Sequence, residues 1–142
     1  MADFAAAGGK NIRAAQMSSA PSAALYYFAT LHNASGSALT SASTTYAATG
    51  IGELSTANGY TAGGKTCGTM TATGAAIDCP DVAWTTGTGE TLTAHYCAVW
   101  VNTTNSITGA QLVGVKDKSL DPATASNGGA LTQSIANLLT MT

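Results

Sequence analysis

The octet GYTAGGKT, Gly59 to Thr66, holds the residues whose types and spacing come nearest to chemistry in this chain. It fits the pattern G-x-x-x-x-G-K-[ST]. In that loop backbone amides cradle phosphates, the lysine reaches the β- and γ-phosphates, and the hydroxyl holds magnesium. The chemistry needs a buried strand before the loop and a helix after it, because the helix N-terminus supplies the amides. Here GELSTAN precedes the octet and CGTMTATG follows it. Two glycines and three threonines in eight residues make a poor helix. The alternation of strands and helices expected of a nucleotide-binding α/β domain is also missing. The expectation is therefore a glycine-rich loop entering a strand, with Lys65 in solvent.

The remaining chemistry-bearing residues form no constellation. Cys67, Cys79 and Cys97 do not have zinc-ligand spacing. A hairpin centred on Thr73 would set Cys67 opposite Cys79 and bring their Cβ atoms near disulfide range. The alternative is two reduced cysteines acting as small hydrophobes. Cys97 sits mid-strand and reads as a buried thiol. His32 and His95 fall on different strands and read as packed or interface histidines. Asp78, Asp81 and Glu90 bracket a short strand without a calcium-loop signature. Asn33-Ala34-Ser35 and Asn102-Thr103-Thr104 match glycan acceptors, which carry no meaning without a secretory signal. No catalytic, cofactor-binding or metal-binding residue is expected.

The 142 residues amount to one domain. Only 8% are charged and the formal net charge is -2. Five basic residues scattered along the chain do not make a nucleic-acid patch or an anchor for an anionic membrane. Hydrophobic residues make up 45%, and the runs ALYYFATL and HYCAVWV argue for a packed core. A surface this poor in charge is weakly protected against association, which suggests that neighbours cover part of it. The start, MADFAAAGGKNIRAAQMSSAPS, lacks the charged-then-apolar plan of a secretory signal. No stretch has the length of a membrane span. The expected place of synthesis is a cytoplasm.

The elements that must position these residues read as β. Residues 1–21 are an Ala- and Gly-rich arm, extended or partly helical, ending at Pro21. Residues 22–142 form the domain. ALYYFATLH is a strand. A long Gly/Ser/Thr-rich loop follows, with Tyr46 and Ile51 as anchors, and a loop of that length is functional or packs on a partner. CGTMTATGAAIDC is a hairpin turning at Gly74, DVAWTT a short strand, and GTGE a turn. TLTAHYCAVWV is the clearest strand. Leu92, Ala94, Tyr96, Ala98 and Trp100 line one face of it, with His95, Cys97, Val99 and Val101 on the other. Two apolar faces require cover on both sides, by a second sheet and by something else. AQLVGVK is a further strand and DKSLDPATASNGG a second polar loop. ALTQSIANLLTMT fits both helical and strand spacing, and its all-β context favours strand. The fold class expected is all-β, a β-sandwich or jelly roll.

GELSTANGYTAGGKT, then a hairpin, then DVAWTT and TLTAHYCAVWV, resembles a family of small tailed-bacteriophage virion proteins. These carry an E-x-S-x-x-x-G-Y-T-A-G-G segment, a D-D-V-x-W strand and a T-I-T-A-R-Y-A-V-like strand. Glu53, Ser55, Gly59, Tyr60, Thr61, Ala62, Gly63 and Gly64 match the first segment. Asp81, Val82 and Trp84 match the second, and Thr91, Thr93, Ala94, Tyr96 and Ala98 the third. Pro80 and His95 depart from it, and so does the arm.

The resemblance implies a non-enzymatic structural role without cofactors. Foremost is a capsid decoration (cement) protein bound to the major capsid protein or other virion proteins and associating with itself. A tail component (tube, baseplate or fibre-associated) and a host-surface carbohydrate-binding module are the alternatives. In the last of these an exposed Trp84 or Trp100 would stack on sugars. The expected location is the virion, assembled in the host cytoplasm, with no nucleic-acid or membrane partner. Tyr26, Tyr27, Phe28, Tyr46, Tyr60 and Trp84 are the candidate core or interface anchors.

Overall fold

The computed structural model describes residues 4–5, 25–34, 39–40, 45–47, 51–67, 71–73, 76–117 and 123–140. Side chains are described for all of these except 4–5, 71–79 and 134–140. The described residues are all-β. The strands are β1 Phe4–Ala5, β2 Tyr26–His32, β3 Lys65–Thr66, β4 Thr71–Thr73 and β5 Ala76–Thr85. They continue with β6 Thr91–Ala94, β7 Tyr96–Asn102, β8 Gln111–Asp117, β9 Ala123–Ser126 and β10 Ala130–Thr140. ALTQSIANLLT is thus a strand, as its context suggested.

The large sheet has the order β1-β8-β7-β2-β3, a second has β10-β5-β4, and β6 pairs with β9 alone. All pairings are antiparallel. The arrangement is sandwich-like because two separate apolar cores form on either side of the large sheet. Ala29 and Leu31 of β2, Cys97, Val99 and Val101 of β7, and Val113 of β8 face the other strands. There they meet Val82 and Trp84 of β5, Leu92 and Ala94 of β6, Ala125 of β9 and Leu131 of β10. On the opposite face Phe28, Tyr96, Ala98, Trp100, Leu112 and Val115 are covered by Leu39, Ala110, Tyr46, Ile51 and Ile107. The long loop after β2 is therefore the second cover that the two-faced strand required.

Four expectations are corrected. TLTAHYCAVWV is not one strand with a single alternation. The chain breaks at His95, whose backbone N–H donates to His32 O at 2.8 Å. Leu92 and Ala94 consequently share a core with Cys97, Val99 and Val101 rather than with Tyr96, Ala98 and Trp100. This break carries the chain from the β6-β9 pair into the large sheet.

The polar segment 117–129 is not all loop, because Ala123–Ser126 pairs with β6. Ala125 is the one residue of β9 that is buried, so its small side chains hide the alternation.

The β4-β5 hairpin turns one and a half residues later than expected. Thr71 faces Asp78 and Thr73 faces Ala76, so position 67 does not stand opposite position 79. Cys67 instead follows β3, donates its N–H to Tyr27 O at 2.8 Å and carries no disulfide. The Cys79 side chain lies outside the described set.

DVAWTT, finally, is not a separate short strand: its first five residues, Asp81 to Thr85, are the second half of the longer β5. Pro80, which has no N–H, is accommodated at a register shift against β10 between Gln133 and Ile135. Of the arm, residues 4–5 form β1 on the edge of the large sheet, and the rest lies outside the described residues.

Candidate functional site

The octet and the residues before it build two consecutive tight turns. Ala57 and Tyr60 exchange backbone hydrogen bonds of 3.0 and 2.9 Å around Asn58 and Gly59. Both central residues have positive φ, 53° and 81°. This is the two-residue Asn-Gly hairpin turn that such dihedrals select. The next turn closes from Gly64 N to Thr61 O at 2.9 Å, with Gly63 at φ 91°. Gly59 and Gly64 are needed for space as well. An added Cβ would lie 2.0 Å from Thr85 O at Gly59 and 2.0 Å from Ala29 O at Gly64.

Glu53 is the hub of these turns. Its Oε1 accepts the Tyr60 phenol at 2.6 Å and the Gly63 N–H at 2.7 Å, and its Oε2 accepts the Tyr46 phenol at 2.5 Å. Three donors on a half-buried carboxylate offset its desolvation. Burial, reinforced by the hydrogen bond to Glu53 and by its charge, raises both phenols far above their ordinary value. Tyr60 is itself buried and tilts against Trp84, ring centroids 6.1 Å apart. Tyr46 meets Trp100 edge-on at 5.4 Å.

The hub also seals the outer edge of β2. Leu31 N donates to the Tyr60 hydroxyl at 3.2 Å. Leu54 N donates to Leu31 O and Asn33 N to Gly52 O, both at 2.9 Å. β3 pairs with Phe28 and Ala29, and Cys67 N reaches Tyr27 O. A row of groups that would otherwise template a foreign strand is thereby paired within the chain.

A second polar chain ties the same loop to the sheet. The Trp100 Nε1–H donates to Thr30 Oγ1 at 2.8 Å, and Thr30 Oγ1 lies 2.7 Å from His32 Nε2. His32 Nδ1 lies 3.0 Å from Ile51 O. A carbonyl can only accept, so Nδ1 carries the proton; in the neutral ring Nε2 then accepts from the threonine, whose oxygen accepts from the indole. This direction of donation requires a neutral imidazole. His32 is fully buried, and burial holds its pKa below the ordinary value against the opposing effects of the Ile51 bond and the Glu53 charge.

These bonds decide what the phosphate-like octet can do. The amides of Ala62, Gly63 and Gly64 are spent on Thr56 Oγ1, Glu53 Oε1 and Thr61 O. Lys65 pairs with Ala29 in β3, and its ammonium donates to Ala83 O at 2.7 Å. The described chain continues into β4, not a helix. The amide cradle that a triphosphate needs is occupied by the protein's own acceptors.

The other singled-out residues are dispersed. Phe28, Tyr60 and Trp84 are core, Tyr27 and Tyr46 are half-buried, and Tyr26 is exposed. Both Trp84 and Trp100 are fully buried, so neither offers a face to a sugar. Cys97 is buried between the sheets, while His95 is half-buried at the β6-β7 break. Asp81 is exposed, and Glu90 accepts the Gly87 N–H within its own turn. No three potential ligands gather into a metal site among the described residues. No described helix is long and apolar enough to cross a membrane.

The Thr30–His32–Trp100 chain was not anticipated. Its members lie up to 70 residues apart, and the one sequence signal was a histidine and a threonine on the same face of an apolar strand.

Comparison with known protein families, curated proteins and solved structures finds no match to this chain.

Proposed function

We propose that this protein is a non-enzymatic structural component of a tailed-phage virion, foremost a decoration (cement) protein on the capsid. One observation carries the reading on the structural side. The segment on which the resemblance rests spends its polar groups on itself, through the Glu53 hub and the two glycine turns. Such a segment maintains a shape. It closes one edge of the sheet and fastens the long loop to the other face, which suits a domain whose work is packing against neighbours. The low charge of the chain supports the same reading, since extended contact surfaces rely on apolar area and shape complementarity. The burial of both tryptophans removes the feature that would have favoured a sugar-binding module.

Mass spectrometry of separated heads and tails from purified virions tests the proposal, with copy number taken relative to the major capsid protein. Copies in the head fraction at a level comparable to capsid subunits are the expected result. Confinement to the tail fraction at low copy number would replace decoration with a tail role. Absence from both would overturn the virion reading.

A further inference from the structure

The two edges of the large sheet are finished in different ways. The β2 edge is closed by residues 52–67 from Tyr27 to Asn33, through β3, the Tyr60 hydroxyl and the loop amides. The β8 edge is covered differently. Near its start Thr45 bridges to Gln111 and Tyr46 N donates to Ala110 O at 2.7 Å. Further along, the cover among the described residues is β1, with Phe4 opposite Val115 and Ala5 opposite Gly114. A two-residue antiparallel strand is a small attachment, and its contacts are the same whichever copy supplies it.

The connection permits either source. Ala5 is joined to Leu25 by residues 6–24. A stretch of that length spans roughly 60 Å when extended. β1 and β2 are separated in the sheet by β8 and β7, a lateral distance of about 14 Å. The connection is several times longer than closure within one copy demands, and long enough to cross to an adjacent molecule. Lys116 and Asp117 follow Val115 on β8 with opposite charges, so that end of the strand carries no net charge to repel a second copy.

We propose that the outer edge of β8, at Gly114 and Val115, is a strand-exchange site whose occupant in the assembled state is the Phe4–Ala5 segment of a second copy. Each copy then donates one β1 and accepts one. Reciprocal exchange between two copies closes a two-fold dimer, and a head-to-tail contact closes into rings or propagates. The proposal rests on the reading that copies assemble, but not on where in a virion they do so.

The test replaces Phe4 with the photoreactive p-benzoylphenylalanine in the full chain. Equal amounts of unlabelled and nitrogen-15-labelled protein are mixed, irradiated over a concentration series and digested. Cross-links between residue 4 and the β8 region that join a light to a heavy peptide are expected, rising with concentration alongside the oligomer seen by sedimentation. The double variant Phe4→Pro and Ala5→Pro removes both strand amides. It should weaken self-association by about ten- to a hundredfold, the worth of two strand hydrogen bonds, while leaving the circular dichroism of the domain unchanged. Cross-links confined to same-isotope pairs at every concentration would overturn the proposal. So would association unaffected by the double proline, or monomers throughout the series. None of these three results bears on the distribution between heads and tails, which tests the virion reading separately.

Discussion

The Tyr60 hydroxyl donates to Glu53 at 2.6 Å while accepting the backbone N–H of Leu31 at 3.2 Å. One phenol therefore links the carboxylate that organises the glycine turns to the strand edge that those turns protect. Loss of the carboxylate should be felt at both ends. Glu53→Ala leaves two phenols and the Gly63 amide without their acceptor. It should lower the unfolding free energy by about 3–5 kcal/mol, read from urea denaturation. Glu53→Gln keeps one acceptor oxygen and should cost less, about 2 kcal/mol. A loss below about 0.5 kcal/mol for Glu53→Ala would mean that the carboxylate does not hold the turns.

Glycine substitutions separate steric need from conformational preference. Gly59→Ala and Gly64→Ala each drive a Cβ to 2.0 Å from a backbone carbonyl oxygen. Each should cost on the order of 3 kcal/mol or more, through forced movement of β5 or β2. Gly109 also has positive φ, at 78°, but a Cβ there meets nothing within 4 Å. Gly109→Ala should cost only the left-handed penalty, about 1–2 kcal/mol. Equal losses at all three positions would contradict the close approaches.

The direction of donation through His32 predicts both a tautomer and a pH dependence. Nitrogen-15 NMR should show the proton on Nδ1 and a neutral ring below pH 6.5. The folded pKa lies below the unfolded value, so the unfolded chain binds the extra proton first as pH falls. His32 then contributes its full stability above about pH 6.5 and loses it progressively as pH falls below that value. The maximal slope is about 1.4 kcal/mol per pH unit. Thermal unfolding between pH 5 and 7.5 should show this slope in the parent and a flatter profile in His32→Gln. Ionisation of His32 in the folded protein with an ordinary pKa would refute the assignment.

The tyrosines give the opposite sign at alkaline pH. The Tyr46 and Tyr60 phenols have raised pKa values in the folded state. Stability is fully present below about pH 10 and is lost as pH rises above it. Absorbance titration should show these two phenols ionising only as the protein unfolds. Tyr60→Phe and Tyr46→Phe should each remove one such late-titrating group.

Lys65 offers the plainest check on the phosphate-like octet. Magnesium and ATP should not raise the melting temperature of the parent. Lys65→Met should stay within about 1 kcal/mol of it, since one exposed hydrogen bond to Ala83 O is lost. A nucleotide-dependent rise that disappears in Lys65→Met would restore the nucleotide-binding reading.

The parts of the fold that could be read from the chain were those written in large apolar side chains. β2, β7 and β8 carry Tyr, Phe, Leu, Val and Trp in runs, and the need for cover on both faces of β7 followed from its composition. β9 was hidden because Ala-Thr-Ala-Ser has almost no hydrophobic contrast, and its strand character comes from pairing with β6. The phase change at His95 was hidden for another reason. Alternation continues through the break in the letters, while the backbone shifts by one residue in space. The hairpin register around Gly74 depended on turn geometry that spacing does not reveal, and the expected opposition of positions 67 and 79 went with it. In the candidate site the glycines and Tyr60 stood out in sequence. The hub role of Glu53 did not, since Tyr46, Tyr60 and Gly63 converge on it only after the loop has folded back.

The break at His95 has a mechanical meaning. β6 belongs to one layer and β7 to the other, and a single residue at a bend, His95, joins them. A pull on the large sheet along β7 is transmitted to the opposite layer through covalent bonds, with no slack loop to take up the strain first. Sliding of one layer over the other would have to stretch that crossing or break the His95–His32 backbone bond beside it. Tension applied between the two layers would run through this crossing as through the thread of a stitched laminate.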